Sequence, residues 1–435
     1  MARFWQLLYN SIALPALWVT FHLLSLVNGK VRRGVRGRRG LFESLAAAVA
    51  KVGPGKRVWF HASSMGEFEQ ARPIIAELRR RHPDVRIVVT FFSPSGYEHA
   101  RKHAVADVTS YLPFDTRAGA GRFLDLVRPD AAVLVRYDVW PNHLWELRRR
   151  GIPAMIANAT MRKQSPRLLP VARDFHHHVY NSLEHILTVS EADRAAFGAF
   201  SLTHPTVAAI GDTRFDQVSA RSAEARQRHL IPDHVVRGRK VIVAGSTWGE
   251  DEDVFIPALR ELSHRVPGLL TIIVPHEPTV GHIEELEASL QEFTTSIRFS
   301  ALNEYAGQQV ILVDSIGILM VLYASAHLAY IGGSFRQGVH NILEAAVYGI
   351  PVLFGPKHWN SQESLQLLEC GGAFVVTDPE DVIRAAHNLL TDEPARGQAG
   401  SRAAEFVKAN IGATRRFLTY LEPHLGLSRS VETAK

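Results

Sequence analysis

The sequence predicts a two-domain α/β protein built on parallel sheets, and three observations carry that prediction. Its 435 residues suit two domains better than one, and a 46% hydrophobic content is enough to fill two cores. Short runs that are apolar on both faces alternate with helical stretches, the pattern of buried parallel strands. Glycines and small polar residues gather just after those runs, where open α/β sheets bind their ligands.

The chain begins with an apolar segment. From Phe4 to Gly29 it carries no Lys, Arg, Asp or Glu, and Phe4, Trp5, Tyr9, Trp18 and Phe21 punctuate it. Lys30, Arg32, Arg33, Arg36, Arg38 and Arg39 follow at once. A span needs about 20 apolar residues, and Asn10, Ser11, Pro15, His22 and Ser25 dilute this run, so a single span and an interfacial helix both fit. The aromatics suit a headgroup zone, and the basic cluster suits the cytoplasmic side against an anionic membrane surface. There is no convincing cleavage site of a secretory signal. The plainer alternative is a core helix followed by a solvated basic loop.

In the first half, Leu41 to Val52 reads as a helix with Glu43 in its first turn, broken by Gly53-Pro54-Gly55. Val58 to Phe60 reads as a strand ending in a loop, His61-Ala62-Ser63-Ser64-Met65-Gly66-Glu67, before a helix over Phe68 to His82. Arg86 to Phe92 is a strand, followed by the loop Ser93-Pro94-Ser95-Gly96. Further strands are expected at Ala131 to Val135, Pro153 to Ala157 and His185 to Val189. The first of these ends at Arg136-Tyr137-Asp138, with Trp140-Pro141-Asn142 behind it.

The second half repeats the style. Lys240 to Ala244 is a strand ending in a loop that carries Gly245 and Ser246. Leu269 to Val274 ends at Pro275-His276, and Val310 to Val313 at Asp314-Ser315-Ile316-Gly317. Leu328 to Ile331 runs into Gly332-Gly333, then a loop with Arg336 and Gly338, then His340-Asn341 opening a helix that buries Leu343, Ala346 and Val347. Glu344 lies one turn inside that helix, and Val352 to Phe354 follows as a strand. A loop ending at a helix N-terminus is a ready anion site, and glycines let the backbone approach a ligand. The domain boundary falls near Val218 to Arg239, a charged stretch without strands.

Several chemistries are excluded. A net charge of +6, from 49 basic and 43 acidic residues, favours anionic partners such as nucleotides or phosphorylated lipids. A lone cysteine, Cys370, excludes an intrachain disulfide and a cysteine-based zinc site. There is no GxGxxG fingerprint, Walker A loop or Gly-x-Ser-x-Gly elbow. The runs Glu250 to Asp253 and His176 to His178 read better as a helix start and an ordinary surface than as metal sites. What remains suits glycosyl transfer from a nucleotide sugar. A base must deprotonate a hydroxyl as it attacks, and cationic groups must stabilise the departing phosphate.

In order along the chain stand Gly40-Leu41-Phe42-Glu43, His61 to Glu67, Ser93 to Gly96, Trp140-Pro141-Asn142, Asn158-Ala159 and Gly211-Asp212-Thr213-Arg214-Phe215-Asp216. Pro275-His276, Gly332-Gly333-Ser334, His340 to Glu344 and Gly355-Pro356 complete the series. In this order and spacing the chain resembles, over nearly its whole length, the lipid A-specific 3-deoxy-D-manno-octulosonic acid (Kdo) transferases, as a divergent branch.

The resemblance implies a GT-B fold: two Rossmann-like domains facing a cleft, with an N-terminal membrane-associated helix. Its segments would be 1–39 (membrane segment and basic loop), 40–217 (acceptor domain), 218–410 (nucleotide-sugar domain) and 411–435 (a terminal helix crossing back, and tail). It implies an inverting transferase moving Kdo from CMP-Kdo to a lipid A precursor (lipid IVA) in lipopolysaccharide core biosynthesis. The enzyme would act at the cytoplasmic face of the inner membrane, with no metal or other cofactor and no nucleic-acid partner. Glu43 matches the general base, and Arg214 matches a lysine that stabilises transition-state charge. Pro275, His276, Ile316, Gly317, Ile318, Asn341, Ile342, Leu343 and Glu344 match CMP-binding positions. Gly245, Ser246, Gly333, Ser334 and His340 fall in the donor and phosphate loops, and Gly66 and Glu67 in the acceptor-side loop.

The chain departs from the family at named positions. Arg136-Tyr137-Asp138 stand where Glu-Thr-Glu is usual, so Arg136 reverses the charge of a position with a supporting catalytic role. Thr160 replaces an arginine, His276-Glu277 an Arg-His pair, and Ile318 a glutamate. Two other classes compete: a GT-B-like sugar-nucleotide epimerase or hydrolase, and a non-catalytic CMP- or lipid-binding protein.

Overall fold

A computed structural model describes residues 1–100, 106–162, 164–359 and 361–427 of the chain. The chain divides into two compact units, Met1–Gln217 with Ile411–Lys435, and Val218–Asn410. Residues 428–435 of the expected terminal segment lie outside the described residues.

The first unit holds a seven-stranded sheet in the order β3-β2-β1-β4-β5-β6-β7. Its strands are β1 (Arg57–Ala62), β2 (Arg86–Phe91), β3 (Val108–Tyr111), β4 (Ala131–Val135), β5 (Ala154–Ala159), β6 (His185–Thr188) and β7 (Thr206–Ala209). The second unit repeats the plan in the order β10-β11-β9-β8-β12-β13-β14. Here β8 is Lys240–Thr247, β9 Leu269–Pro275, β10 Ser296–Arg298, β11 Val310–Leu312, β12 Leu328–Ile331, β13 Val352–Phe354 and β14 Ala373–Val375. Every described ladder is parallel. Helices cover both faces of such a sheet, which is why β4 (AAVLV) and β12 (LAYI) are buried at every residue.

In each sheet the chain leaves a central strand in one direction and later crosses to its other side. The reversal falls between β1 and β4 in the first unit and between β8 and β12 in the second. In open α/β sheets the loops after such a strand pair diverge, and ligands bind in the crevice at the carboxyl end of the sheet.

The helix Ala2–Val27 is long and apolar enough to cross a membrane, with 6% of its most apolar window buried. One π-helical turn, Tyr9–Ala13, interrupts it. Its first half docks on the unit: Trp5 Nε1 donates to Asp174 (2.6 Å), and Tyr9 Oη to Asp115 (2.8 Å). Its second half exposes Leu17, Trp18, Leu23, Leu24 and Leu26. This is not the plainer core helix of the sequence reading.

The basic cluster needs one correction. Arg38 does not face outward: its guanidinium donates to the carbonyls of Leu112 (2.8 Å), Gly34 (2.8 Å) and Phe92 (3.0 Å) and lies over the Phe92 ring. Burial holds it down to about 10, below the ordinary arginine range. Arg33, Arg36 and Arg39 remain exposed.

The helix Ala413–Leu421 belongs to the first unit. Phe417, Leu418 and Leu421 enter the same core cluster as Phe68, Ile75 and Leu78. Asp216 caps it, accepting from the backbone N–H groups of Gly412 (2.7 Å) and Thr414 (2.9 Å).

Candidate active site

In the second unit, the loops after β8, β9 and β12 bring three flat side chains together. Trp248 stacks on His276 with ring centroids 4.5 Å apart, and His276 stacks on His340, also at 4.5 Å. Trp248 Nε1 lies 2.9 Å from His340 Nε2. An indole N–H only donates, so Nε2 accepts and the neutral ring carries its proton on Nδ1. Burial, and then the neighbouring His276, pull His340 down to about 4. Its Nδ1–H is therefore a neutral donor at physiological pH. The Arg336 guanidinium covers the other part of the wall, 4.2 Å from the Trp248 ring centroid. Flat π surfaces beside a cation suit a base and a phosphate.

Glycines let the two backbones meet at the reversal point. Gly332 N–H donates to Gly245 O (2.9 Å), and a Cβ on Gly332 would lie 2.3 Å from Ser246 O. Gly333 has φ +91, and a Cβ there would lie 2.6 Å from both Gly338 O and the His340 ring. The turn is closed by hydrogen bonds from Arg336, Gln337 and Gly338 N–H to Gly333 O. Asp251 fastens it, accepting from Gly333 N–H (2.7 Å) and Trp248 N–H (3.0 Å). The acidic run is thus a helix start that holds this turn. Among the described residues no group of three or more His, Cys, Asp or Glu is placed to hold a metal ion.

Other expected positions are rearranged. Gly245 and Ser246 lie inside β8 rather than in a loop after it, and Ser246 takes a left-handed φ of +55 at a register shift against β9. The helix expected to open at His340-Asn341 is the single turn Leu343–Ala346. Asn341 precedes it and accepts from Leu343 N–H (3.2 Å). Val347 is half-buried, and Ala345 takes its place in the core. The anion site expected at that helix start is reduced accordingly, since one turn has little dipole. Ile342 and Leu343 are buried, leaving only their backbones for a ligand. Ser334 is also buried, and its hydroxyl accepts from Gly355 N–H (2.6 Å). Pro275 ends β9, while Ile316 is 80% exposed beside Gly317, which has φ +82, and Ile318. Glu344 lies 3.5 Å from Arg221.

The first unit spreads its candidates over four elements. Glu43 sits in the first turn of Leu41–Val49, 70% exposed, and pairs with Arg122 at 3.2 Å. Gly66 and Glu67 are not in a loop. They form the first turn of the helix Met65–Arg81, and Glu67 accepts from Ser63 N–H at 2.5 Å. Burial, reinforced by Asp138, pushes the Glu67 carboxyl up. Ser93-Pro94-Ser95-Gly96 likewise overlaps a helix, Pro94–Ala100. Arg136 directly follows β4 in a left-handed conformation, φ +63, and its N–H donates to Ala157 O (2.8 Å). Arg214 begins the helix Thr213–Ala225, with Nε and Nη2 on Asp212 Oδ2 at 2.9 and 2.7 Å.

The reversal point of this sheet also holds a pair that sequence reasoning did not single out. His61, the last but one residue of β1, has Nε2 2.8 Å from Asp138 Oδ2 and Nδ1 2.9 Å from Thr90 Oγ1. Burial is the largest single influence and raises the Asp138 carboxyl, but the hydrogen bond and charge of His61, together with hydrogen bonds from neighbours such as Trp140, outweigh it and leave the group below its ordinary range. The sequence places His61 in the loop after the strand, whereas the strand runs on through Ala62, and a histidine at that place does not by itself reveal the partner across the sheet. Trp248 was visible too, as the aromatic closing the glycine-bearing end of β8.

Residues 33–217 match the family described as 3-deoxy-D-manno-octulosonic-acid transferase (kdotransferase). The chain is 30% identical over 386 residues to the 3-deoxy-D-manno-octulosonic acid transferase of Bordetella pertussis, covering 85% of this chain and 87% of that one. The chain belongs to the Kdo transferase family. It is a glycosyltransferase. The Haemophilus influenzae transferase of the same name is 26% identical over 428 residues, 97% of this chain and 99% of that one. Among solved structures, the UDP-GlcNAc 2-epimerase of Neisseria meningitidis bound to UDP-GlcNAc superposes with a TM-score of 0.61 at 15% identity, over 84% of this chain and 100% of that one. Acinetobacter baumannii MurG gives 0.55 at 14% identity, over 85% and 99%. At these identities the likeness is one of fold, and it places this Kdo transferase family member in the GT-B class.

Proposed function

We propose that this chain transfers Kdo from CMP-Kdo to a lipid A precursor, lipid IVA, with inversion and without a metal ion. The observation that carries the reading is the 30% identity to the Bordetella pertussis enzyme over most of both chains. The ring-walled crevice at the carboxyl end of the second sheet supports a nucleotide donor there. His276, backed by Trp248 and exposed, offers a face for cytosine, and His340 Nδ1–H and Arg336 offer donors for phosphate. Glu344 serves the ribose, alongside the backbones of Asn341 to Leu343 and of Ile316 to Ile318.

The acceptor hydroxyl attacks the anomeric carbon of Kdo as the bond from that carbon to the phosphate oxygen breaks. CMP leaves with the electron pair, and Glu43 takes the hydroxyl proton. Arg214, held flat by Asp212, balances the charge of the sugar carboxylate and leaving phosphate, and Arg136 assists where the family carries a glutamate. Gly66 presents open backbone to the acceptor, with Glu67 bracing the turn. The exposed apolar half of Ala2–Val27 and the arginines after it support a place at the cytoplasmic face of the inner membrane.

The test is transfer from CMP-Kdo to a tetra-acylated lipid A precursor, with and without EDTA. Product is expected from wild type in both conditions and is lost in Glu43→Ala. No product from wild type, or full activity in Glu43→Ala, would overturn the reading.

A further inference from the structure

A cavity of about 220 Å³ in the first unit has no role in the reading above. Phe21, from the helix Ala2–Val27, forms one side, with its ring centroid 5.2 Å from Phe92 and 6.1 Å from Phe114. Val31 and Val35, one turn apart on the next helix, Gly29–Arg36, form another. Gly34 keeps the space open between them: a Cβ there would already touch Pro94 at 3.4 Å.

Arg38 lines the cavity but does not make it an anion site. Each of its three nitrogens already donates to a carbonyl, and its charge lies over the rings of Phe92 and Phe114. Such a cation shapes an apolar wall. The ligand chemistry is hydrocarbon.

Two features say which hydrocarbon. The cavity continues the lipid-facing surface of Ala2–Val27, since Phe21 belongs to both, and its rim carries exposed Lys30 near Arg33. At its other side lie Ser63 and Ser64, the turn between β1 and the helix Met65–Arg81. Ser63 directly follows the last residue of β1, Ala62, and its N–H donates to Glu67, so this turn is part of the carboxyl end of the sheet. A ligand spanning both sides has a polar head at the acceptor-side turn and a chain toward the bilayer.

We infer that this cavity seats one acyl chain of the glycolipid acceptor, an inference that rests on the reading of a lipid-borne acceptor. Lipid is as apolar as the cavity, so the seat adds position rather than affinity. It holds the head sugar in register, and misplacement of a reacting group by about 1 Å is costly.

The experiment has two arms on the full chain. In the first, a lipid A precursor with a photoreactive diazirine at one acyl terminus is crosslinked to wild type in mixed micelles. Label is expected on the peptides that carry Val31 to Arg38 or Phe92 to Pro94. Label only elsewhere, or equal label there from a diazirine-bearing phosphatidylglycerol, would overturn the inference. This arm reads binding and decides even if wild type transfers no Kdo, an outcome that would count against the proposed function alone. In the second, Val31→Trp and Val35→Trp are compared with wild type on the acylated precursor and on its acyl-free glucosamine disaccharide. The ratio of kcat/KM, acylated over acyl-free, is expected to fall about tenfold or more, as for a pocket that no longer fits its ligand. An unchanged ratio in both variants sinks the inference.

Discussion

The imidazole of His340 lies flat on that of His276, centroids 4.5 Å apart with 12° between the planes. Two protonated rings cannot share that geometry, and His340 is the one held neutral, at about 4. An unfolded histidine titrates near about 6.5. Between those values the unfolded state binds more protons, so stability rises with pH through the window. It is complete above about 6.5 and is lost as pH falls toward about 4. Proton NMR should show the His340 ring still neutral at pH 5.5, and His276→Ala should move its titration upward. Urea unfolding of wild type should lose stability from pH 7 to pH 5 more steeply than that of His340→Gln.

Glu43 is open to solvent and holds only a surface pair with Arg122. Such a pair is worth about 0–1 kcal/mol. Glu43→Gln should therefore leave the unfolding midpoint nearly unchanged while transfer falls by about 10²–10⁴, the usual worth of a general base. CMP binding, followed by calorimetry, should stay as in wild type. Arg122→Ala should change transfer by much less, since the arginine holds the carboxylate without touching the reaction.

Central strands were legible in the sequence and edge strands were not. The runs at β1, β2, β4, β5, β6, β8, β9, β11, β12 and β13 are apolar on both faces, because helices cover both sides of each sheet. The four that escape notice, β3, β7, β10 and β14, are the outer strands of the two sheets. VTSY, TVAA, SIR and AFV are short, and β7, β10 and β14 are partly exposed, so no continuous apolar run announces them. The donor-side residues were visible as loop chemistry after strand ends. The role of the Gly211 to Asp216 stretch was not, since it depends on distant partners. Asp212 holds Arg214, Thr213 donates to Gln70 O (2.7 Å), and Asp216 caps a helix about 200 positions later. Arg38 misled for the same reason: a basic run gives no sign that one member turns inward to carbonyls.

Gly333 offers a test of the donor crevice that deletes no side chain. With φ +91 and Gly338 O and the His340 ring at 2.6 Å from a Cβ, alanine must both adopt a left-handed backbone and push the imidazole aside. The backbone strain alone costs about 1–3 kcal/mol. Gly333→Ala should weaken CMP binding markedly while leaving the unfolding of the first unit unaffected. Retention of wild-type CMP affinity, together with an unshifted His340 titration, would argue that the stacked rings do not contact the nucleotide.

Asp115 ties the helix Ala2–Val27 to the sheet. Fully buried, it accepts from the backbone N–H groups of Asn142 and His143, each at 3.0 Å, from the His143 ring at 2.6 Å and from Tyr9 Oη at 2.8 Å. Removing the carboxylate strands several buried polar groups at once, which should cost about 3 kcal/mol or more. Tyr9→Phe removes one bond and should cost about 1 kcal/mol. Chemical denaturation checks both values. Because Tyr9 also stacks on Phe175 at 5.9 Å and Trp5 holds Asp174, the Phe variant should keep the first half of the helix docked. Asp115→Ala should instead loosen it, exposing Trp5 to quenching by acrylamide. If Trp5 stays protected in Asp115→Ala, the aromatic contacts rather than the buried carboxylate hold the helix against this unit.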